Sequence, residues 1–258
     1  MYIMNIIFGF IIIIILILFI NFKKKSITII NLVLYSNNDE YDEMYKLTRK
    51  YYKKFNNVKT IYYKFNEYNK EEYELNDDIL NIKGKETFIP GILDKTIKAF
   101  KYINNNYKFD YIVRSNISTI INFDLLTNYL KYNKFDYGGG LKMIVYSINK
   151  SYGIVDNTYF GKEYASGTSI IISKEMVDKI INNQNNINYT VIDDVAIGML
   201  INENKKFIPN DFYMMVPNYD NQNDLINEIK NKNYIFFRNR QSERKKDLIQ
   251  MKTIINNI

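Results

Sequence analysis

Residues 164–180 read YASGTSIIISKEMVDKI and residues 190–200 read TVIDDVAIGML, and these two segments decide the fold. A Ser-Gly turn at Ser166 and Gly167 feeds a β-branched apolar run, residues 169–172, which is expected to be a buried strand. A short helix follows. After an Asn-rich loop over residues 182–188, two adjacent acids, Asp193 and Asp194, open another helix. Paired acids at a helix start beside a buried strand are where an enzyme can keep a general base. The same residues also fit a structural role. Acids near a helix N-terminus are favoured by the macrodipole, and Thr190 followed three residues later by Asp193 approximates a capping box. Both readings stand at this level.

Working outward, hydrophobic periodicity alternates. Residues 26–36 (SITIINLVLYS) predict a strand, 40–55 a helix, 60–65 a strand and 93–103 a helix with Leu93, Ile97, Phe100 and Ile103 on one face. Residues 111–114 predict a short buried strand, 123–130 a helix, and 135–140 a strand entering a glycine turn. Alternating strands and helices argue an α/β fold with a mostly parallel central sheet flanked by helices. Ligands on such sheets gather at the carboxyl ends of strands. Those ends carry Tyr35 and Ser36, then residues 114–118, then residues 137–140. No internal repeat or linker interrupts residues 26–258, which are expected to form a single domain.

Composition sets limits. The chain has 258 residues, 47% hydrophobic and 24% charged, which is globular rather than disordered. It has no Cys and no His, so disulfides, thiol nucleophiles, His-ligated metals and a Ser-His-Asp triad are excluded. Any general base is then Asp, Glu, Lys or Tyr, and any metal needs an oxygen cage. The net charge of +7 comes from scattered Lys without a recognition motif, and no nucleic-acid partner is expected. Residues 6–20 are apolar without a break, and the run approaches the roughly 20 residues that span a bilayer. With no basic start and no small-residue cleavage site, residues 1–25 are expected to be an uncleaved single-pass membrane anchor with a basic flank. Lys23, Lys24 and Lys25 would place that flank in the cytoplasm, whereas a lumenal Golgi- or ER-type enzyme needs the opposite, so the side of the membrane stays open.

The motifs then fall in one order. NDDILNIKGKETFIPGILDKTIKAFKYI (76–103), FDYIVRSNISTIINFDLLTNYL (109–130), FDYGGG (135–140), YASGTSIIIS (164–173) and DDVAIGMLI (193–201) together resemble the GT-A fold glycosyltransferases of the β1,3-galactosyltransferase and fringe family. In the first segment Asp78, Ile79, Leu80, Glu86, Thr87, Leu93, Lys95 and Thr96 carry the likeness. In the last, DDV stands where the family has E-D-V. The resemblance implies a GT-A-like domain and transfer of a sugar from a nucleotide-sugar donor, a UDP-sugar foremost, to a glycan or glycoprotein hydroxyl. One departure matters. Where the family carries the DxD motif that holds a divalent cation, this chain has Asn116, Ile117 and Ser118, and no carboxylate. A site for Mn or Mg is therefore disfavoured: either the enzyme works without metal or it is a catalytically silent relative, a sugar-binding or structural membrane protein.

The resemblance also implies roles. Asp194 is the expected general base of an inverting displacement, with Asp193 orienting the acceptor or tuning its neighbour. Arg114, Ser115, Asn116 and Ser118, with Arg238 or Arg240 from the basic stretch FFRNRQSERKK, are expected to bind the nucleotide diphosphate in place of metal, beside Ser36, Gly138 and Gly139. Tyr137, Tyr164, Ser166 and Gly167 are expected against the sugars. The competing reading of the basic stretch is a solvated helix face.

Overall fold

The fold was obtained as a computed structural model that describes residues 26–36, 39–201, 205–219, 221–241 and 243–258. The expected membrane anchor, residues 1–25, lies outside the described residues. Among the described residues no helix is long and apolar enough to cross a membrane.

The chain opens with β1 (Ile29–Leu34), α1 (Asp39–Tyr52) and β2 (Val58–Asn66), followed by the hairpin β3 (Tyr73–Asn76) and β4 (Ile79–Lys83). Next come α2 (Gly91–Asn106), β5 (Tyr111–Asn116), β6 (Thr119–Ile121), α3 (Phe123–Tyr132) and β7 (Tyr137–Gly139). An excursion through β8 (Lys142–Ile144) and β9 (Glu163–Ala165) leads to β10 (Ile170–Ser173), α4 (Lys174–Asn182) and α5 (Asp193–Leu200). The C-terminal part holds β11 (Lys205–Phe207), β12 (Tyr213–Val216), α6 (Gln222–Asn231), β13 (Phe236–Asn239) and α7 (Arg244–Ile255).

Among the described residues, eight strands form one sheet in the order β11-β7-β10-β5-β1-β2-β4-β3. β1, β2, β4 and β5 run parallel, as do β7 and β11, while β3 and β10 run antiparallel to their neighbours. The sheet is thus mixed and mostly parallel, as the alternation predicted. The 169–172 run does form a buried strand, but β10 points against β5. That reversal carries the 166–169 turn to the carboxyl end of β5.

Both sheet faces are covered, which is why the strands read as nearly continuous apolar runs. Ile29, Val33, Val113 and Ile171 pack beneath α1, α3, α6 and α7 through Met44, Phe123, Leu225 and Met251. Ile30, Leu32, Ile112, Ile170 and Ile172 pack beneath α2, α4 and α5 through Ile97, Phe100, Val177 and Ile197. Each such side chain contributes about 1.5–3 kcal/mol by leaving water. A second sheet, β12-β13-β6, lies beside the first. β6 leaves the carboxyl end of β5 after a two-residue turn, and β13 pairs with it antiparallel, placing Arg238 opposite Thr119.

Candidate active site

At the carboxyl ends of β1 and β5 a cleft of about 460 Å³ opens. Its walls include Tyr35 and Ser36 after β1, Glu86 and Lys95 from the loop and helix after β4, Asn116 and Ser118 after β5, and Arg238 and Arg244 from the C-terminal part. Ser118 is fixed on two sides. Its Oγ accepts from Arg238 Nη1 at 2.5 Å, and its carbonyl accepts from the Asn239 backbone N–H at 3.0 Å. Lys95 is buried in α2 and pairs with Glu86 Oε2 at 2.5 Å, while Glu86 Oε1 accepts from the Phe65 amide at 3.0 Å. Burial lowers the Lys95 ammonium and Glu86 works against that shift.

Beside this cleft the two acids part company. Arg114, at 2% exposure, is enclosed between sheet and α5. Its Nη2 donates to Asp193 Oδ2 at 2.5 Å, Nη1 to the Gly167 carbonyl and, at 3.3 Å, to Asn116 Oδ1, and Nε to the Tyr63 hydroxyl at 3.2 Å. Burial alone would lower the guanidinium, but Asp193, Tyr63 and Asp194 together outweigh it and the group is raised. Among the described residues Asp194 meets no cation directly. Its Oδ2 accepts from the Gly167 N–H at 3.0 Å and its Oδ1 from the Val195 N–H at 2.9 Å. Desolvation first, and then the Asp193 charge, push its carboxyl up to about 7. A half-buried carboxyl poised there can take a proton at neutral pH.

Of the structural reading of the acid pair, the capping box is not formed, while both acids do stand in the first helical turn, where the macrodipole favours them. The helix N-cap is Ile192, with no side-chain cap bond, and Thr190 bonds instead to Asn188 Oδ1. Asp193 is an internal ion-pair partner, and Asp194 is the group left with an unpaired charge.

Other expected residues distribute unevenly. The cleft unites Ser36, Asn116, Ser118 and Arg238. Arg114 reaches it only through Asn116, because its donors are committed inside the protein. Ser115 points to the opposite face of β5 and is enclosed. Arg240 is exposed and outside the cleft lining. Gly138 and Gly139 lie where the sheet leaves no room for a side chain. A Cβ at Gly138 would strike the Lys206 carbonyl and one at Gly139 the Ser169 carbonyl. Tyr137 offers no stacking face, being fully buried with its hydroxyl accepting from the Ala165 N–H at 3.0 Å. Tyr164 is buried against Gly198, and burial raises its phenol to about 12. Ser166 Oγ lies 3.1 Å from Thr168 Oγ1, and Gly167 binds Arg114 and Asp194 through its own peptide. The basic stretch is neither all solvated nor all helical: Arg238 is a buried strand residue and Arg244 starts α7. The sequence singled out neither Lys95 nor Glu86 for a role, and Arg244 only as one charge of the basic stretch. The first two were visible only as carriers of the family likeness.

The donor set at 116–118 does not fit a divalent cation. Asn116 Oδ1 is engaged by Arg114, Ile117 is packed in the core and Ser118 Oγ faces a guanidinium. Hard cations require several oxygen ligands, preferably charged. The cleft's carboxylate, Glu86, is held by Lys95. Among the described residues no group of three or more acids is placed to hold a metal.

Against known proteins, the family model for galactosyltransferases matches residues 57–207. Among solved structures, the fold is similar to a glycosyltransferase involved in glycosylation of the major capsid of the virus PBCV-1, at 9% identity and a TM-score of 0.50, covering 87% of this chain and 98% of that one. It is also similar to the glycosyltransferase GlyE of Streptococcus pneumoniae TIGR4, at 10% identity and a TM-score of 0.43, covering 88% of this chain and 62% of that one. At such identities the likeness bears on fold alone. No curated protein matches the sequence.

Proposed function

The chain belongs to the galactosyltransferase family and is a glycosyltransferase, and from that premise we propose that it transfers a sugar from a nucleotide-sugar donor to a hydroxyl acceptor with inversion, without a divalent cation. The observation that carries this reading is Asp194, a half-buried carboxyl held by the Gly167 and Val195 amides and raised to about 7 by desolvation and by Asp193. The acceptor hydroxyl attacks the anomeric carbon from the face opposite the diphosphate. The new carbon–oxygen bond forms as the bond to the phosphate oxygen breaks. That electron pair leaves with the nucleoside diphosphate, and the acceptor proton passes to Asp194. Arg114 is a positioning residue: it neutralises Asp193 and, by binding its carbonyl, fixes Gly167, whose N–H holds Asp194.

The donor enters the cleft beside Ser36, Asn116 and Ser118. A UDP-sugar is the donor class the family likeness favours, with a glycan or glycoprotein as acceptor. The apolar segment at residues 6–20 is read as the membrane anchor of the enzyme. Metal independence is supported by the absence of carboxylates at 116–118 and by the guanidinium beside Ser118.

The test incubates the full chain, in mild detergent, with a panel of nucleotide sugars and glycan acceptors, with Mn and with EDTA. Product of inverted anomeric configuration, formed equally fast in EDTA, is the expected outcome. Transfer that needs Mn would overturn the metal-free part, and a product of retained configuration would overturn the role of Asp194.

A further inference from the structure

Arg238 is a buried cation that takes no part in the proton transfer to Asp194. It is 8% exposed, yet among the described residues no carboxylate pairs with it. The β6–β13 pairing lays it alongside the 117–118 turn, where one N–H is spent on Ser118 Oγ and the rest of the group borders the cleft. Its charged surroundings aggravate the imbalance. Arg244 and Arg240 repel it, and the nearby acid, Asp247, is already bound by Arg244 Nη1 and by the Gln241 amide, each at 2.7 Å. Burial lowers this guanidinium to about 10. A buried, unpaired charge is costly to a fold. Evolution can retain it where a ligand brings the missing negative charge.

We propose that Arg238, seated on Ser118 and backed by Arg244, is a diphosphate clamp that supplies the positive charge for the donor's leaving group. The proposal deepens the transferase reading and rests on it for the identity of the ligand. A guanidinium fork matches two phosphate oxygens and stays charged at any working pH. Placed at the carboxyl edge of β5, it stabilises the negative charge that grows on the diphosphate as the glycosidic bond breaks. The clamp reads charge rather than base, so it recognises pyrophosphate and nucleoside diphosphates and ignores an uncharged nucleoside.

Isothermal titration of the full chain in mild detergent with EDTA tests it, with UDP, inorganic pyrophosphate and uridine as probes. Wild-type protein is expected to bind UDP and pyrophosphate. Arg238→Met is expected to weaken both by about 10- to 100-fold, the size of a lost charge-assisted hydrogen bond, and to leave uridine unaffected. Ser118→Ala, which removes only the seat, should shift both in the same direction by a smaller factor and covers the case in which Arg238→Met does not fold. Lys245→Gln, an exposed charge on the same stretch, should change nothing. UDP affinity kept within twofold in Arg238→Met, or absence of UDP and pyrophosphate binding to wild type, overturns the clamp. Transfer in EDTA that survives Arg238→Met at the wild-type rate removes the clamp and leaves the transferase reading standing. Pyrophosphate binding that is lost in Arg238→Met, from a protein that transfers no sugar, keeps the clamp and removes that reading.

Discussion

Two neighbouring aspartates, identical in chemistry, are given opposite tasks by one arginine. Arg114 takes Asp193 as an ion-pair partner and binds the carbonyl of Gly167, the residue whose N–H holds Asp194. Asp194→Asn keeps the shape of the side chain and an oxygen for one of the two backbone N–H donors, but cannot accept a proton. Its kcat should fall by about 100- to 10,000-fold while donor binding, measured by titration calorimetry, is kept. For the wild type, kcat/KM should rise as pH climbs through about 7, because Asp194 must lose its proton to act. Arg114→Met leaves Asp193 buried without a counter-charge and should destabilise the protein by about 3–5 kcal/mol in urea unfolding. Adding Asp193→Asn should restore part of that loss. The acid pair was legible in sequence as a candidate base and as a candidate cap. That the two acids differ, Asp193 in an ion pair and Asp194 on backbone amides, depends on Arg114, 79 residues away in the chain.

At the scale of elements, the short strand β7 shows why a glycine run misleads. Residues 138–140 were expected as a glycine turn with Gly138 and Gly139 beside the diphosphate, and Gly138 and Gly139 let β7 lie between β10 and β11 with carbonyls where a Cβ would be. Gly139→Ala should therefore cost about 1–3 kcal/mol by overpacking. Gly161 has φ +73° and open space around it, so Gly161→Ala should cost only the backbone strain, about 1 kcal/mol. Thermal unfolding of the two variants checks the contrast. Long periodic elements such as α2 and β1 were legible because each buries a face of regular period. The short pieces β6, β8, β9 and β13 were not. Three or four residues carry too little pattern, and β13 holds a buried arginine that in sequence belongs to a charge run.

For the molecule as a whole, the raised carboxyl of Asp194 enters the stability as well as the chemistry. Its folded value, about 7, lies above the roughly 3.9 of an unfolded aspartate. The folded protein therefore binds this proton more tightly than the unfolded chain does. The contribution is fully present below about pH 4 and is lost as pH rises through 7. Asp194→Asn imitates the protonated form, so its melting temperature relative to wild type should increase between pH 5 and pH 8. A difference that stays flat over that range would show that Asp194 titrates normally.

The sequence alone determined the α/β class, the mostly parallel sheet, the family likeness and the missing carboxylates at residues 116–118, because periodicity, residue type and motif order are local properties of the chain. It also narrowed the base to a carboxylate, lysine or tyrosine by having no His or Cys. Only the tertiary structure decided which residues meet. It buried Tyr137 and Ser115, turned Arg114 inward, left Arg240 outside the cleft, and set Arg238 against Ser118 across 120 positions of sequence. These outcomes depend on strand order and on which side of a strand each residue occupies. A shift of one residue reverses that side, and the local pattern of a three-residue strand does not fix it.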